Sequence, residues 1–363
     1  MNSIKKIIRY IFLYGLRRTL VKVLYLMDKP FLFVFLRFIY NFGVKNEERI
    51  GLIGLGNHGF TLIAFFVSVI GKKKISFVVD PSDRSRVLAE KVLKCKHFRK
   101  VDDAINSGVF YGDLVYIASD HFSHTSQAIL AAKNFGKVYV EKPLFVSYEQ
   151  QSQFKEIFDL NSNVFTGFNR PYAPYFQNLK NELGNVFSVS MVINGHYLPP
   201  DHWYRDSAQG SRVLGNLTHW LDLSLRILSL KEIPKSVEVK VLKGNLDDIT
   251  VSLLVGDCKI DLLFSANCEP VDGVEEFIFW NSNISMGKII NFRSMDFVRK
   301  DRTRVVFKKK SKNVGHGDAV IAPLNGSQPN IQIAYLSSCL ALKVEEMYVN
   351  NISSSLVSFD IWG

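Results

Sequence analysis

Three glycines in Gly54-Leu55-Gly56-Asn57-His58-Gly59 keep the spacing G-x-G-x-x-G, and Asp80 stands 21 residues beyond the last of them. Such a turn lets backbone approach a pyrophosphate: Gly54 makes the tight bend, Gly56 admits the phosphate, and Gly59 lets helix and strand pack closely. Asp80 is placed to accept hydrogen bonds from ribose hydroxyls, and its charge repels a 2′-phosphate, so the pattern selects NAD over NADP. A second group follows at Ser119, His121, His124 and Glu141-Lys142-Pro143. Hydride transfer between a secondary alcohol and a nicotinamide needs a proton acceptor at the hydroxyl. A lysine at a strand end is a candidate, because desolvation or a neighbouring cation lowers its pKa toward neutrality. A third group comprises His219 and Asp222, the loop Asp201-His202-Trp203-Tyr204, and Arg170. Histidine titrates in the range that acid–base work requires. Asp222 could orient it, bind a substrate hydroxyl or form a structural salt bridge. The polar-aromatic loop suits a sugar ring or is an ordinary strand connection, and Arg170 suits a phosphate or carboxylate.

Elements with the right periods surround these residues. Residues 50–53 form a short apolar run before the glycine turn, 60–70 are apolar on nearly every side, and 75–79 form a second run ending at Asp80. Helices are expected over 83–93, 102–107 and 123–135, with Gly136 as a C-cap, and strands over 114–118 and 138–140. Alternating strands and helices imply a parallel sheet covered on both faces, with ligands beyond the carboxyl ends of its strands. Positions 54–59, 80, 119–124 and 141–143 all fall there. Ser123 is the expected N-cap of the helix that follows it. After Phe168 the rhythm changes. One helix is expected over 171–183 and another over 213–230, where His219 and Asp222 share a face. Strand-like runs occupy 186–198, 236–242, 249–255, 259–265, 276–280 and 288–292. The alternation of Ile260, Leu262 and Phe264 marks an antiparallel sheet with one covered face.

The chain has 363 residues, 47% hydrophobic and 22% charged, a globular composition long enough for two domains. Its four cysteines include no C-x-x-C pair, so neither a zinc site nor a disulfide scaffold is expected, and free thiols fit a reducing cytoplasm. The net charge of +11 is concentrated: residues 1–45 hold nine Lys/Arg and one acid, Asp28, leaving only +3 on the remainder. That distribution argues against a nucleic-acid-binding body. Ile4, Ile7, Ile8 and Ile11 follow helical spacing beside Lys5, Lys6 and Arg9, Pro30 interrupts, and a second apolar run covers 31–40. Neither run reaches the roughly 20 apolar residues that span a bilayer. The arm is either an interfacial helix pair on anionic lipid or helices packed on protein.

The combined pattern resembles the Gfo/Idh/MocA oxidoreductases, named for glucose–fructose oxidoreductase and inositol dehydrogenase. Ala118-Ser119 through His124, Ala132 through Gly136-Lys137, and Glu141-Lys142-Pro143 follow that family's order and spacing over roughly residues 49–350. The segments 198–203, 210–215 and 218–222 look like a branch associated with surface-polysaccharide assembly. The resemblance implies a Rossmann domain over 47–168 and, over 169–363, a substrate domain with an open, mostly antiparallel sheet that commonly forms an oligomer interface. Residues 1–46 lie outside it as a basic helical arm. It also implies that Lys142 and His219 are catalytic, that His124 lies near the nicotinamide, and that Gly54, Gly56, Asn57, His58, Gly59, Asp80, Ser119, His121, Glu141 and Lys142 belong to the cofactor site. Arg170, Asn216, Asp222, His202 and Trp203 are the corresponding substrate-binding candidates. One departure stands out: many members carry an aspartate four residues before the histidine, where this chain has Gly215, and the polysaccharide branch tends to glutamate at Asn216. An amide can hydrogen-bond a hydroxyl but cannot take its proton. The expected activity is NAD-dependent oxidation or reduction of a sugar, nucleotide sugar or polyol, cytoplasmic or peripheral at the inner membrane face. The alternative is a dinucleotide-binding scaffold or regulator of little or no activity.

Overall fold

The computed structural model describes residues 3–160, 163–245, 247–327 and 331–359. They fall into two compact units, one of residues 15–168 and 316–331, the other of residues 1–14, 169–315 and 332–363.

The first unit is built on six parallel strands: β1 (Lys45–Ile53), β2 (Lys73–Val79), β3 (Lys96–Phe98), β4 (Gly112–Ile117), β5 (Phe135–Val140) and β6 (Val164–Thr166). Their order is β3-β2-β1-β4-β5-β6, the doubly wound arrangement that leaves a crevice where the order reverses, between β1 and β4. Helix Gly59–Ile70, wound as a π-helix, packs on β1 and β2 and is buried through Phe60, Leu62, Ile63, Ala64, Phe65 and Val67. Nearly all of its faces are covered, because the returning segment His316–Ile321 lies against it and Tyr116 donates to the Val320 carbonyl at 2.8 Å. The expected helix over 123–135 is shorter, His124–Ala132, and Gly136 is no C-cap: it already lies within β5. Ser123 does not cap the helix either, since its hydroxyl donates to the Asp120 carboxylate at 2.6 Å.

The basic arm does not form a unit of its own. Helix α1 (Ser3–Tyr14) belongs with the second unit, where Arg9 pairs with Asp272 and the Leu13 carbonyl accepts from the Lys312 amide at 2.9 Å. Helices α2 (Leu16–Met27) and α3 (Phe33–Asn41) belong to the first. Val21, Leu24, Tyr25, Leu32, Leu36 and Tyr40 enter the same core as Ile50, Phe60 and Ile63. Tyr40 donates to the Phe60 carbonyl at 2.7 Å, so this face of the arm is packed on protein. Among the described residues no helix is long and apolar enough to cross a membrane.

The second unit carries nine strands: β7 (Phe187–Asn194), β8 (Ser236–Lys243), β9 (Ile249–Val255), β10 (Cys258–Ser265), β11 (Glu275–Ser282), β12 (Ser285–Ile290), β13 (Ser294–Arg299), β14 (Arg304–Lys308) and β15 (Ser354–Ser358). The order is β14-β13-β12-β11-β7-β10-β9-β8-β15, antiparallel except where β10 runs parallel to β7. Ile260, Leu262 and Phe264 are buried as their alternation requires. Helices Thr218–Leu228 and Phe176–Leu183 lie against the sheet. The single helix expected over 171–183 is broken: Arg170–Tyr172 make one tight turn, Ala173 is extended, and the helix begins at Phe176. Pro174 explains this, because a proline drives the residue before it out of the helical region.

Replacing the fully buried Leu36 by alanine removes an anchor of α3 and is expected to cost about 2–5 kcal/mol of stability, read as a lower denaturant midpoint with unchanged slope.

Candidate functional site

Within the nucleotide unit, β1 delivers the glycine turn. Gly54 has φ +88°, and a side chain there would collide with the Ala118 carbonyl; one at Gly59 would collide with the carbonyl of Gly54. At Gly56 a Cβ would meet nothing, and Gly56, Asn57 and His58 are exposed. The turn therefore packs tightly against its own sheet at Gly54 and Gly59 and is open at Gly56, which is the shape that admits a dinucleotide pyrophosphate. Asp80, at the end of β2, is 9% exposed. Its Oδ2 accepts from the Leu55 amide at 2.7 Å and its Oδ1 from the Ser82 amide at 2.9 Å. Each oxygen retains a lone pair for a ribose hydroxyl. The acid thus also shapes the turn it was expected only to accompany.

Beyond β5, Glu141 is buried at the centre of a small network. Its Oε1 accepts from His58 Nε2 at 3.1 Å and from the Tyr139 hydroxyl at 2.9 Å, and its Oε2 accepts from the Lys142 amide at 3.3 Å. Burial opposes its ionisation, but His58, Lys142 and Tyr139 outweigh that and hold its pKa below the usual carboxylate range. Lys142 is half-buried on the adjoining peptide. Sequence reasoning missed Tyr139 and also His316, whose ring lies 6.5 Å from that of His58; neither carries a local signal. His124 is buried, with Nδ1 2.7 Å from the Pro143 carbonyl and Nε2 3.3 Å from the Ser119 carbonyl. Burial lowers its pKa, against the opposing pull of those carbonyls and of Glu141 and Asp120. A neutral ring has one N–H, and the shorter contact assigns it to Pro143. His121 is buried with its ring 5.9 Å from that of His124, and Ser119 donates to Gln127 at 2.7 Å. The structure therefore gathers all the expected cofactor residues at the carboxyl ends of β1, β2, β4 and β5.

Within the sheet unit, His219 and Asp222 stand on helix Thr218–Leu228 and are buried. Asp222 Oδ2 accepts from Arg226 Nε at 2.8 Å, and burial pushes its pKa up despite that partner. Arg170 is only 4% exposed. Its Nε donates to Glu276 at 2.9 Å, its Nη1 to Asn169 at 2.9 Å, and its guanidinium lies over the Trp220 ring. Its charge is met inside the fold, not offered to a ligand. Asn216 is half-buried and accepts from Arg212 at 3.0 Å. The loop bearing His202, Trp203 and Tyr204 stacks on itself, with Trp203 and Tyr204 rings 4.3 Å apart. Arg205 clamps that loop by donating to the Leu198 and Pro199 carbonyls and to Asp247. Trp203 remains 46% exposed, and burial lowers the His202 pKa, helped by Arg212 and Arg205. A Cβ at Gly215 would lie 2.6 Å from the Tyr204 ring. The space that an aspartate at that position would need is thus filled by an aromatic side chain.

Residues 48–168 match the oxidoreductase family GFO_IDH_MocA, defined by an NAD-binding Rossmann fold. Over these residues the match agrees with the resemblance read from the sequence. Among curated relatives, the glucose-6-phosphate 3-dehydrogenase of Bacillus subtilis (strain 168) is 24% identical, covering 67% of this chain and 77% of that protein. The 2,7-anhydro-N-acetylneuraminate hydratase of Escherichia coli (strain K12) is 28% identical, covering 54% of this chain and only 52% of that protein. The fold is shared with a myo-inositol dehydrogenase of Corynebacterium glutamicum ATCC 13032, at TM-score 0.65 and 18% identity over 86% of this chain and 98% of that one. It is shared equally with GenD2 from gentamicin A biosynthesis, crystallised with NAD, at TM-score 0.68 and 18% identity over 87% and 98%.

Two outcomes follow. In the unfolded chain His124 takes up a proton as pH falls through its ordinary 6.5, whereas the folded chain resists it, so stability declines below pH 6.5. Melting temperatures from pH 7.5 to 5.5 are expected to fall less steeply in His124→Gln than in the parent. Gly215→Asp, far from restoring a missing acid, is expected to displace Tyr204 and lower the melting temperature by several degrees without raising turnover.

Proposed function

We propose that the protein is an NAD-dependent dehydrogenase acting on a hydroxyl-bearing carbon of a sugar, nucleotide sugar or polyol. One observation carries the reading: His58 of the phosphate-binding turn and the amide of Lys142 share the Glu141 carboxylate. The turn that holds the cofactor and the residue suited to proton transfer are thus fixed to one group. Bound NAD supplies a hydride acceptor. In the oxidative direction the substrate carbon gives up hydride while its hydroxyl proton passes to Lys142 Nζ. His219 serves as a second acid–base group, and Asp222 and Asn216 contribute hydrogen bonds to hydroxyls. Trp203, exposed on a clamped loop, offers an apolar face for a sugar ring. The B. subtilis relative, named for a sugar phosphate, supports a sugar-type substrate, and a role in polysaccharide assembly is part of the same proposal.

Self-association through the second sheet belongs to this reading as well. Registered partners Thr250, Leu263, Val192, Phe277 and Ile290 form a row across five strands on the less buried face, and Phe279 and Met286 are exposed beside it. Such a face suits a second copy of the chain.

The test is nicotinamide absorbance at fixed NAD or NADH with a panel of sugar phosphates, nucleotide sugars and polyols. Turnover with one class is expected. Lys142→Ala should lower kcat by about 10²–10⁴-fold while NAD affinity changes little. Retained turnover in that variant would refute the role given to Lys142. NAD binding without redox change on any substrate would instead favour a non-catalytic dinucleotide-binding protein, the reading that the loss of an acid at Gly215 supports.

A further inference from the structure

The α2–α3 hairpin has two apolar faces, and the core of the nucleotide unit uses only one. Leu32, Leu36 and Tyr40 point inward. Phe31, Val34, Phe35, Phe38 and Phe42, drawn from the alternate positions of the same segment, are 61–70% exposed. Leu16, Leu20, Leu26 and Met27 are exposed on α2. Nine side chains of this size left in water over one short segment are more than scattered single exposure accounts for.

The backbone beneath them is firmly held. Arg84 donates to the Tyr25 carbonyl at 2.6 Å and lies over its ring at 4.0 Å, and Asn41 donates to the Val92 carbonyl at 2.8 Å. The exposed residues therefore do not turn inward by a small rearrangement. Their charged neighbours are of one sign. Arg17, Lys29 and Arg37 are exposed, and the single acid of the segment, Asp28, is taken by Arg84 at 3.3 Å. Phenylalanines and leucines flanked by uncompensated cations suit the boundary between anionic headgroups and acyl chains, where the rings enter the apolar layer and the cations meet phosphates. A protein partner of ordinary composition would have to supply an apolar patch ringed by acids. A second copy of the same face would bring like charges together.

We propose that residues 16–42 form a preorganised docking surface for an anionic lipid bilayer, seated by Phe31, Phe35, Phe38 and Phe42 with Arg17, Lys29 and Arg37 on the headgroups. This attachment is independent of the chemistry proposed above. Because the hairpin is built into the core of the Rossmann unit, docking holds the nucleotide-binding domain itself at the surface without a flexible tether.

The test is co-sedimentation of the full chain with vesicles of phosphatidylcholine alone or of phosphatidylcholine with phosphatidylglycerol. Analytical ultracentrifugation without lipid runs alongside. The combined variant Phe31→Ser, Phe35→Ser, Phe38→Ser alters only exposed side chains, and unchanged NAD affinity confirms that its Rossmann unit is folded. The parent should bind anionic vesicles at least about tenfold more tightly than neutral ones. That preference should shrink at about 0.5 M salt, and the triple variant should lose about tenfold in partitioning. Equal binding by the variant, or a parent that stays in the supernatant with every vesicle, overturns the proposal. So does a parent dimer that the triple variant dissolves while neither protein binds lipid, which would assign the face to a second copy.

Discussion

The nucleotide unit is organised around one buried negative charge. A carboxylate removed from water is strongly unfavourable unless several donors replace its hydration, and Glu141 has them in His58, Tyr139 and the Lys142 amide. Two of the donors, Tyr139 and the Lys142 amide, belong to the segment that carries Glu141 itself, and the third, His58, comes from the phosphate turn. Satisfying the charge consequently ties the end of β5 to that turn. It also constrains what stands nearby, since any side chain at Gly167 would collide with the carboxylate. Geometry around Lys142 is thereby a by-product of electrostatic necessity, which is a sturdier basis than loop packing alone.

The sheet unit solves a similar problem with a buried pair. Arg170 and Glu276 are both nearly inaccessible, and the Trp220 indole N–H donates at 2.8 Å to the same Glu276 oxygen that Arg170 engages. Trp220 adjoins His219 on the helix, so the network that neutralises Arg170 also sets the rotation of the helix carrying the histidine. Removing either ion would leave the other uncompensated in a low-dielectric interior. The arginine is therefore part of the packing that holds the helix bearing His219.

What could be read in the sequence divides along the range of the interactions involved. The glycine turn, Asp80 and the apolar runs of β1, β2, β4, β9 and β10 are local patterns, and they appear in the structure close to where periodicity puts them. Gly136 misled because a glycine after an apolar helix looks like a cap, while here the helix stops at Ala132 and Lys133 closes it in a helical conformation. Strands β13, β14 and β15 were missed: their few residues are mixed in polarity, and their identity comes from pairing with strands already in place. Tyr139 as a partner of Glu141 was invisible for the same reason, and so was His316: nothing near them in the chain indicates that the fold brings one to that carboxylate and the other beside His58.

The position before the histidine shows how a local departure and a distant residue explain each other. Read alone, glycine at 215 is the loss of an acid. In the structure it is the place where the Tyr204 ring lies too close for any side chain, within a cluster that also packs Trp203 and His202 and that Arg205 ties to Asp247. The small residue is what allows an aromatic loop to close over helix Val213–Leu217. A hole at that site would have left the rest of the pattern to be interpreted unchanged. A filled volume means that the loop and the glycine form one packing unit, so Gly215 must be understood from the Tyr204 ring that occupies its side-chain space rather than from an absent acid.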